Sequence, residues 1–356
     1  MVQLPDEIIE EILCRLRVRY LLRFRCVSKS WLAIISSSYF IKLHLNQSLQ
    51  TKSILSRLFF TSYCDHFRVD FDSHSFLRPV KMNYFKLRYP NHKTSICDSC
   101  DGLLCIKAYG DTPKLFLWNP STKKSIQLPY PKSIADEKGW IWVYRFGYDN
   151  INNDYKVVEL LFPINKNKEN YKINVYSLKS NSWHSPKKFP YPPRISSIGY
   201  SITSGAMHWI SRMGLDSKGE GSIVAFHLGT EKYRVITPPE SSCSHFYLYL
   251  SNLEGCLSTI GHYFSCTVDI FLLKEYGGKN EHWSKLITFS PTVGSGYQIP
   301  NEVITYSKCG KKILFLMEDN RLVWYNLEQK SEEDIGVSCD QVYTYMESIV
   351  SLDVPK

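Results

Sequence analysis

Between Leu4 and Leu45 the apolar residues recur with helical spacing. Ile8, Ile9, Ile12, Leu13 and Leu16 fall at three- and four-residue steps and so share one side of a helix. Pro5 suits the first turn, where a missing N–H has no partner to lose. Asp6 and Glu7 sit at the positive end of that helix dipole, and Arg15 and Arg17 at the negative end. Leu21, Leu22, Phe24 and Val27 predict a second short helix. Ser28 predicts an N-cap, with Val27 and Leu32 as a hydrophobic staple, for a third helix carrying Trp31, Ile34 and Ile35. Three short helices bury too little surface to stand alone, so this unit must dock on a partner or on the rest of the chain.

Residues 46–57 are polar and read as a linker. Beyond them the pattern changes to short apolar or alternating runs broken by Gly, Pro, Asn, Asp and Ser, the signature of strands and turns. Stacking these runs on Phe71, Trp118, Tyr176, Phe226, Phe271 and Tyr325 gives gaps of 47, 58, 50, 45 and 54 residues. Strand–turn–strand content at a period near ~50 is that of a kelch-like propeller. A further apolar strand precedes several anchors: GLLCI from Gly102, DYKVVELL from Asp154, GAMHWI from Gly205, GCLSTIG from Gly255 and KKILFLM from Lys311. The predicted fold is mainly β with a small N-terminal α domain: three helices in residues 1–45, then a six-bladed β-propeller over 58–356. The run from Gln341 to Leu352 is placed to pair into the first blade and close the ring. A two-sheet sandwich is the alternative.

Leu4-Pro5, Glu11-Ile12-Leu13 with Arg15-Leu16, Phe24-Arg25-Cys26-Val27-Ser28-Lys29 with Trp31, and Phe40 with His44-Leu45 together resemble the F-box of plant F-box proteins. The resemblance implies docking on the Skp-type adaptor of a cullin–RING ubiquitin ligase. The positions matching the family's contact residues are Leu4, Pro5, Ile8, Ile12, Leu16, Val27 and Trp31, an apolar helical ridge with a tryptophan anchor. Two positions depart from the family: Arg17 stands where Pro is usual, and Tyr20 where a Ser commonly caps the second helix. A lost cap costs about 1 kcal/mol.

The later segments CDGLLCI, LWNPSTKKSIQLP, FGYDNINNDYKVVEL, VYSLKSNSW, GAMHWI and SIVAFHLGTEKY, with the terminal YTYMESIVSL, resemble the plant F-box-associated domain. Within that family the kelch-type and pollen S-locus F-box proteins are the most similar. The implied role is a non-catalytic receptor subunit that holds a target protein for ubiquitination.

Composition changes this picture little. An aromatic content of 14% favours strands. The net charge of +9 is concentrated early. The five arginines from Arg15 to Arg25 fit a solvated rim that would steer an acidic adaptor, rather than a nucleic-acid patch. Eleven cysteines at irregular spacing read as free thiols, since Cys97-x-x-Cys100 has no second half to complete a zinc site. The amphipathic helix begins at once, which argues against a signal peptide, and no apolar run reaches the roughly 20 residues that span a bilayer. A cytoplasmic or nuclear protein is expected.

No P-loop, GxGxxG or GxSxG occurs. His208 reads as a satisfied structural histidine. His262 and Cys266 have metal-ligand spacing and nothing more. The Asp149–Asp154 cluster reads as a turn. No cofactor or metal is expected. Two longer loops, Tyr130 to Tyr144 and Pro291 to Pro300, offer Trp140, Trp142, Tyr144 and Tyr297 as target-binding aromatics. The alternation of the first three favours instead a strand face buried in a blade. Rival functions are a propeller enzyme with a metal on its axis and a glycan- or small-molecule-binding propeller.

Overall fold

A computed structural model describes residues 5–51, 57–62, 65–72, 75–76, 79–82, 93–109, 114–130, 140–163, 171–186, 190–191, 193–198, 202–211, 221–240, 246–263, 267–290 and 299–353. Four helices come first: α1 Asp6–Cys14, α2 Val18–Phe24, α3 Lys29–Ser36 and α4 Ser38–Gln50. Pro5 is the extended residue just ahead of α1, which carries Asp6 and Glu7 in its first turn. Ser28 caps α3 as its position predicts, its Oγ accepting from the Trp31 N–H at 3.1 Å. Ser37 does the same for α4 through the Phe40 N–H at 3.1 Å.

The structure departs from the pattern in three places. Tyr20 lies inside α2; the capping position is Arg17, which makes no side-chain cap bond. A fourth helix forms, and it runs through His44 and Leu45 to Gln50, into the stretch read as linker. The predicted single face of α1 divides: Ile9 and Leu13 are buried while Ile8 and Ile12 are exposed.

The buried side holds Ile9, Leu13, Cys14, Val18, Leu21, Ile35 and Phe40 in one cluster. Each fully buried Leu or Phe stabilises by about 1.5–3 kcal/mol. His44 secures the end of α1 by donating from Nε2 to the Leu16 carbonyl at 2.8 Å. The last member of this core, Ile349, comes from far along the chain.

The described residues beyond the helices form six sheets. Blade one contains β1 Arg57–Ser62, β2 Asp65–Asp72, β3 Ser75–Phe76 and β4 Val80–Lys81. Blade two is β5 Thr94–Cys100, β6 Leu103–Ala108, β7 Lys114–Asn119 and β8 Lys124–Gln127. Blade three is β9 Trp140–Asp149, β10 Asp154–Pro163, β11 Lys172–Ser177 and β12 Ser182–His184. Blade four is β13 Pro193–Ile198, β14 Ala206–Ser211, β15 Ser222–His227 and β16 Tyr233–Ile236. Blade five is β17 Phe246–Leu253, β18 Cys256–Tyr263, β19 Val268–Lys274 and β20 His282–Phe289. Blade six is β21 Pro300–Tyr306, β22 Lys312–Met317, β23 Arg321–Asn326 and β24 Ser331–Ser338. A final strand, β25 Gln341–Tyr345, pairs antiparallel with β1, Phe59 opposite Tyr343, and supplies the innermost strand of blade one. The ring closes as the sequence predicts, but only Gln341–Tyr345 of the run read to Leu352 forms the strand; the rest leaves blade one.

The side-chain period of two explains why second and third strands read as nearly continuous apolar runs. Each blade is sandwiched between two others, so both faces are buried. Leu58 and Phe60 of β1 pack toward blade six with Leu314 and Leu316, while Phe59 between them packs toward blade two with Leu104 and Phe116. Comparable clusters fill the other interfaces, Trp209 and Phe226 meeting Val158 and Phe162 between blades three and four. At the perimeter β24 is polar and exposed, with Glu332, Glu333 and Asp334 blunting its open edge.

Candidate functional site

Residues 346–353 run from β25 across the propeller to the helices. Asn119 Nδ2 donates to the carbonyls of Ser348 and Val350 at 3.1 and 3.0 Å. Val350 and Leu352 join the core between blades two and three, against which Ile41 and Leu45 of α4 pack, while Ile349 enters the helical core. Lys42 Nζ donates to Asn153 Oδ1 at 3.0 Å across the same boundary. The Asp149–Asp154 cluster is a turn, as read. Asp149 Oδ1 accepts from the backbone of Ile151 and Asn152 at 3.0 and 3.1 Å, and Lys156 lies 3.0 Å from Oδ2. The helices are thereby seated on blades two and three with one side free.

That free side is apolar. Ile8, Ile12 and Val27 are 43%, 51% and 59% exposed, joined by Leu32 at 44%. Pro5 is exposed, Leu16 and Trp31 are half-buried, and Leu4 lies outside the described residues. The Trp31 ring stands edge-on to Phe24 with centroids 5.5 Å apart, which fixes its orientation. Around this surface Arg15 pairs with Glu11, and the Arg19 guanidinium lies 4.6 Å from the Tyr20 ring centroid. Leu32 and Tyr39, 63% exposed, are apolar surface that the resemblance did not single out. For Leu32 the available signal was its place next to Trp31.

Trp140, Trp142 and Tyr144 belong to strand β9 rather than to a loop. Tyr144 is only 4% exposed, and its hydroxyl donates to Glu159 Oε1 at 2.7 Å. It packs as blade core, the reading its alternation favoured. Burial and the Glu159 charge hold its phenol far above the ordinary range. Trp142 is half-buried; the Lys107 ammonium lies 5.3 Å from its ring and 4.9 Å from that of Tyr109. Lys172 approaches the half-buried Trp140 ring at 5.1 Å. Tyr297, and the loop residues 131–139, lie outside the described residues.

His208 is buried, its Nε2 2.7 Å from the Tyr276 hydroxyl. Burial and the Arg234 charge push it down to about 3, so it stays neutral. His262 is buried against the Pro300 carbonyl at 3.1 Å, and Cys266 lies outside the described residues. Among the described residues no cluster of His, Cys, Asp and Glu is arranged to hold a metal, and the cysteines are free thiols. No described helix is long and apolar enough to cross a membrane.

Comparison with known proteins agrees with this geometry. Residues 1–43 match the F-box domain family, and residues 47–340 match the F-box associated beta propeller domain. The F-box protein CPR1 of Arabidopsis thaliana is 29% identical over 372 residues, covering 97% of this chain and 87% of that protein. An F-box/kelch-repeat protein of the same plant is 29% identical over 304 residues, covering 80% of this chain and 79% of that one. Four helices with a free apolar side, seated on a closed six-bladed ring, thus coincide with two adjoining family matches, and the chain belongs to the F-box proteins that carry an F-box associated beta propeller domain.

Proposed function

We propose that this chain is the substrate-recognition subunit of an SCF-type ubiquitin ligase. The F-box docks on a Skp-type adaptor, which connects it to the cullin and RING subunits, and the propeller holds a target protein. The observation that carries this reading is the apolar surface of Ile8, Ile12 and Val27 left open on helices whose other side is already packed. Trp31 is the residue type of an interface hot spot, and the exposed aliphatic residues would supply the surrounding contacts that exclude water. Catalysis would be by proximity: target lysines are held near a charged conjugating enzyme, and no residue of this chain serves as acid, base or nucleophile.

Calorimetry of the full chain against the adaptor tests this. Wild type should bind, and Trp31→Ala should lose about 2–4 kcal/mol of binding free energy. Ile12→Glu, at an exposed position, should lose binding with its melting temperature unchanged. A well-folded wild type that does not bind would make the helices a cap on a propeller that binds some ligand of its own.

A further inference from the structure

The innermost strands carry a second site at the propeller axis. A cavity of about 110 Å3 is lined by Asp98 and Ser99 of β5, Asn252 at the end of β17, Glu254 in the turn that follows, Glu302 of β21 and Tyr343 of β25. Its charged lining is entirely acidic. The volume is that of roughly three or four waters in the liquid, enough for one small polar headgroup.

Glu302 is the telling residue. It is only 8% exposed, yet among the described residues nothing donates a hydrogen bond to its Oε2. Buried carboxylates without partners are costly, and each calls for something that completes it, a water, an ion or a ligand. Asp98, fully buried, is satisfied on the protein side: Oδ1 accepts from the Ser99 N–H at 2.8 Å and Oδ2 from the Phe146 N–H at 3.0 Å. Both carboxylates follow register shifts, between Ile96 and Asp98 and between Pro300 and Glu302. Bulges re-aim side chains, and here both carboxylates line the cavity.

We propose that this axial cavity binds one organic cation, a guanidinium or alkylammonium group, held between Glu302 and Asp98 with Glu254 at its side. Among the described residues the carboxylates do not form a metal cluster, which favours a delocalised or hydrogen-bonding cation over a metal ion. Burial, with the like charge of Asp98, lifts the Glu302 carboxyl to about 8, while Arg145 pulls it down. Asp98 is lifted to about 7 by burial against the same arginine. The other titratable groups near them are the Tyr343 phenol and the Cys339 thiol, both held protonated by burial, and the Cys97, Cys100 and Cys105 thiols on the Asp98 side. Cation binding therefore releases protons and tightens as pH rises from 6 to 9. The site is independent of adaptor docking.

The source of the cation is either a lysine or arginine side chain of another protein or a free small amine. Full-length chain would be titrated, by calorimetry and NMR, with arginine and lysine blocked at both ends, with blocked norleucine, and with ethylguanidinium and butylammonium. Cations should bind, norleucine should not, and Glu302→Gln should weaken binding by at least about tenfold. Glu254→Gln, nearer solvent, should weaken it less. Binding of the blocked residues identifies a protein side chain as the occupant; binding of the small cations alone identifies a free amine. Absence of any cation-specific binding to wild type would overturn the proposal. So would wild-type affinity in a Glu302→Gln chain that melts like wild type.

Discussion

The Asn119 side chain donates to the Ser348 carbonyl at 3.1 Å, joining the third strand of blade two to the segment that seats the helices. The same carboxamide reaches the Val350 carbonyl at 3.0 Å, and its oxygen accepts from the Ser121 and Thr122 N–H groups at 2.9 and 3.2 Å. Asn119→Ala should cost about 2–4 kcal/mol, because it orphans buried carbonyls as well as the turn. Asn119→Asp should do no better, since it turns an acceptor toward two carbonyls. Urea unfolding of both variants checks this.

Gly102 has φ +77°, and a Cβ placed on it would lie 2.5 Å from the Met346 carbonyl oxygen and from Ser348 Oγ. Gly255 has φ +83° and nothing within 4 Å of the same position. Gly255→Ala should therefore cost only the backbone strain of about 1–2 kcal/mol. Gly102→Ala should cost clearly more, and it alone should loosen the helices, read as faster amide exchange in α4.

Adjacent residues of α1 should separate stability from docking. Leu13 is fully buried, so Leu13→Ala should destabilise by about 2–5 kcal/mol. Ile12 is 51% exposed, so Ile12→Ala should shift stability by no more than about 0.5 kcal/mol while weakening adaptor binding. Thermal melts and calorimetry on the two variants give opposite rankings if the free side is the docking surface.

His208 has its folded pKa pushed down to about 3. The unfolded chain takes up the proton from about pH 6.5 downward and the folded chain does not, so stability falls as pH drops through that window, by up to about 1.4 kcal/mol per pH unit. His208→Gln should flatten the acid limb of the stability curve. Glu302 slopes the other way. Its folded pKa of about 8 lies above the unfolded value, so the folded chain holds the proton longer and stability declines as pH rises toward 8. Glu302→Gln should be more stable than wild type at pH 8 and alike at pH 4. Urea titrations at spaced pH values measure both slopes.

The anchors Phe71, Trp118, Tyr176, Phe226, Phe271 and Tyr325 all fall on the third strand of their blades, and the apolar runs preceding five of them form the second strands. These strands were legible because neighbouring blades cover both of their faces. β25 and the alternating start of β9 apart, the innermost strands were not, because one side of each looks onto the axis: TSICDSC and PNEVITY mix polar and apolar residues without a clean period. On the helices, the resemblance named Ile8, Ile12 and Val27, which stand exposed, but periodicity alone placed Ile8 and Ile12 with the buried Ile9 and Leu13. Nothing local in the SIVSL stretch announces that Ile349 belongs with Phe40, because a contact of such sequence separation leaves no periodic trace.

That separation also sets a clock. Phe40 and Ile349 are 309 positions apart, so at roughly 5–20 residues per second a ribosome takes about 15–60 s to supply the last piece of the first core it began. Over the same interval blade one waits for β25, which lies only a few residues before Ile349. Chains that stop short of residue 341 therefore lack ring closure and helix seating together. Seating of the helices and closure of blade one therefore become a single late event, completed only when residues 341–349 reach their partners.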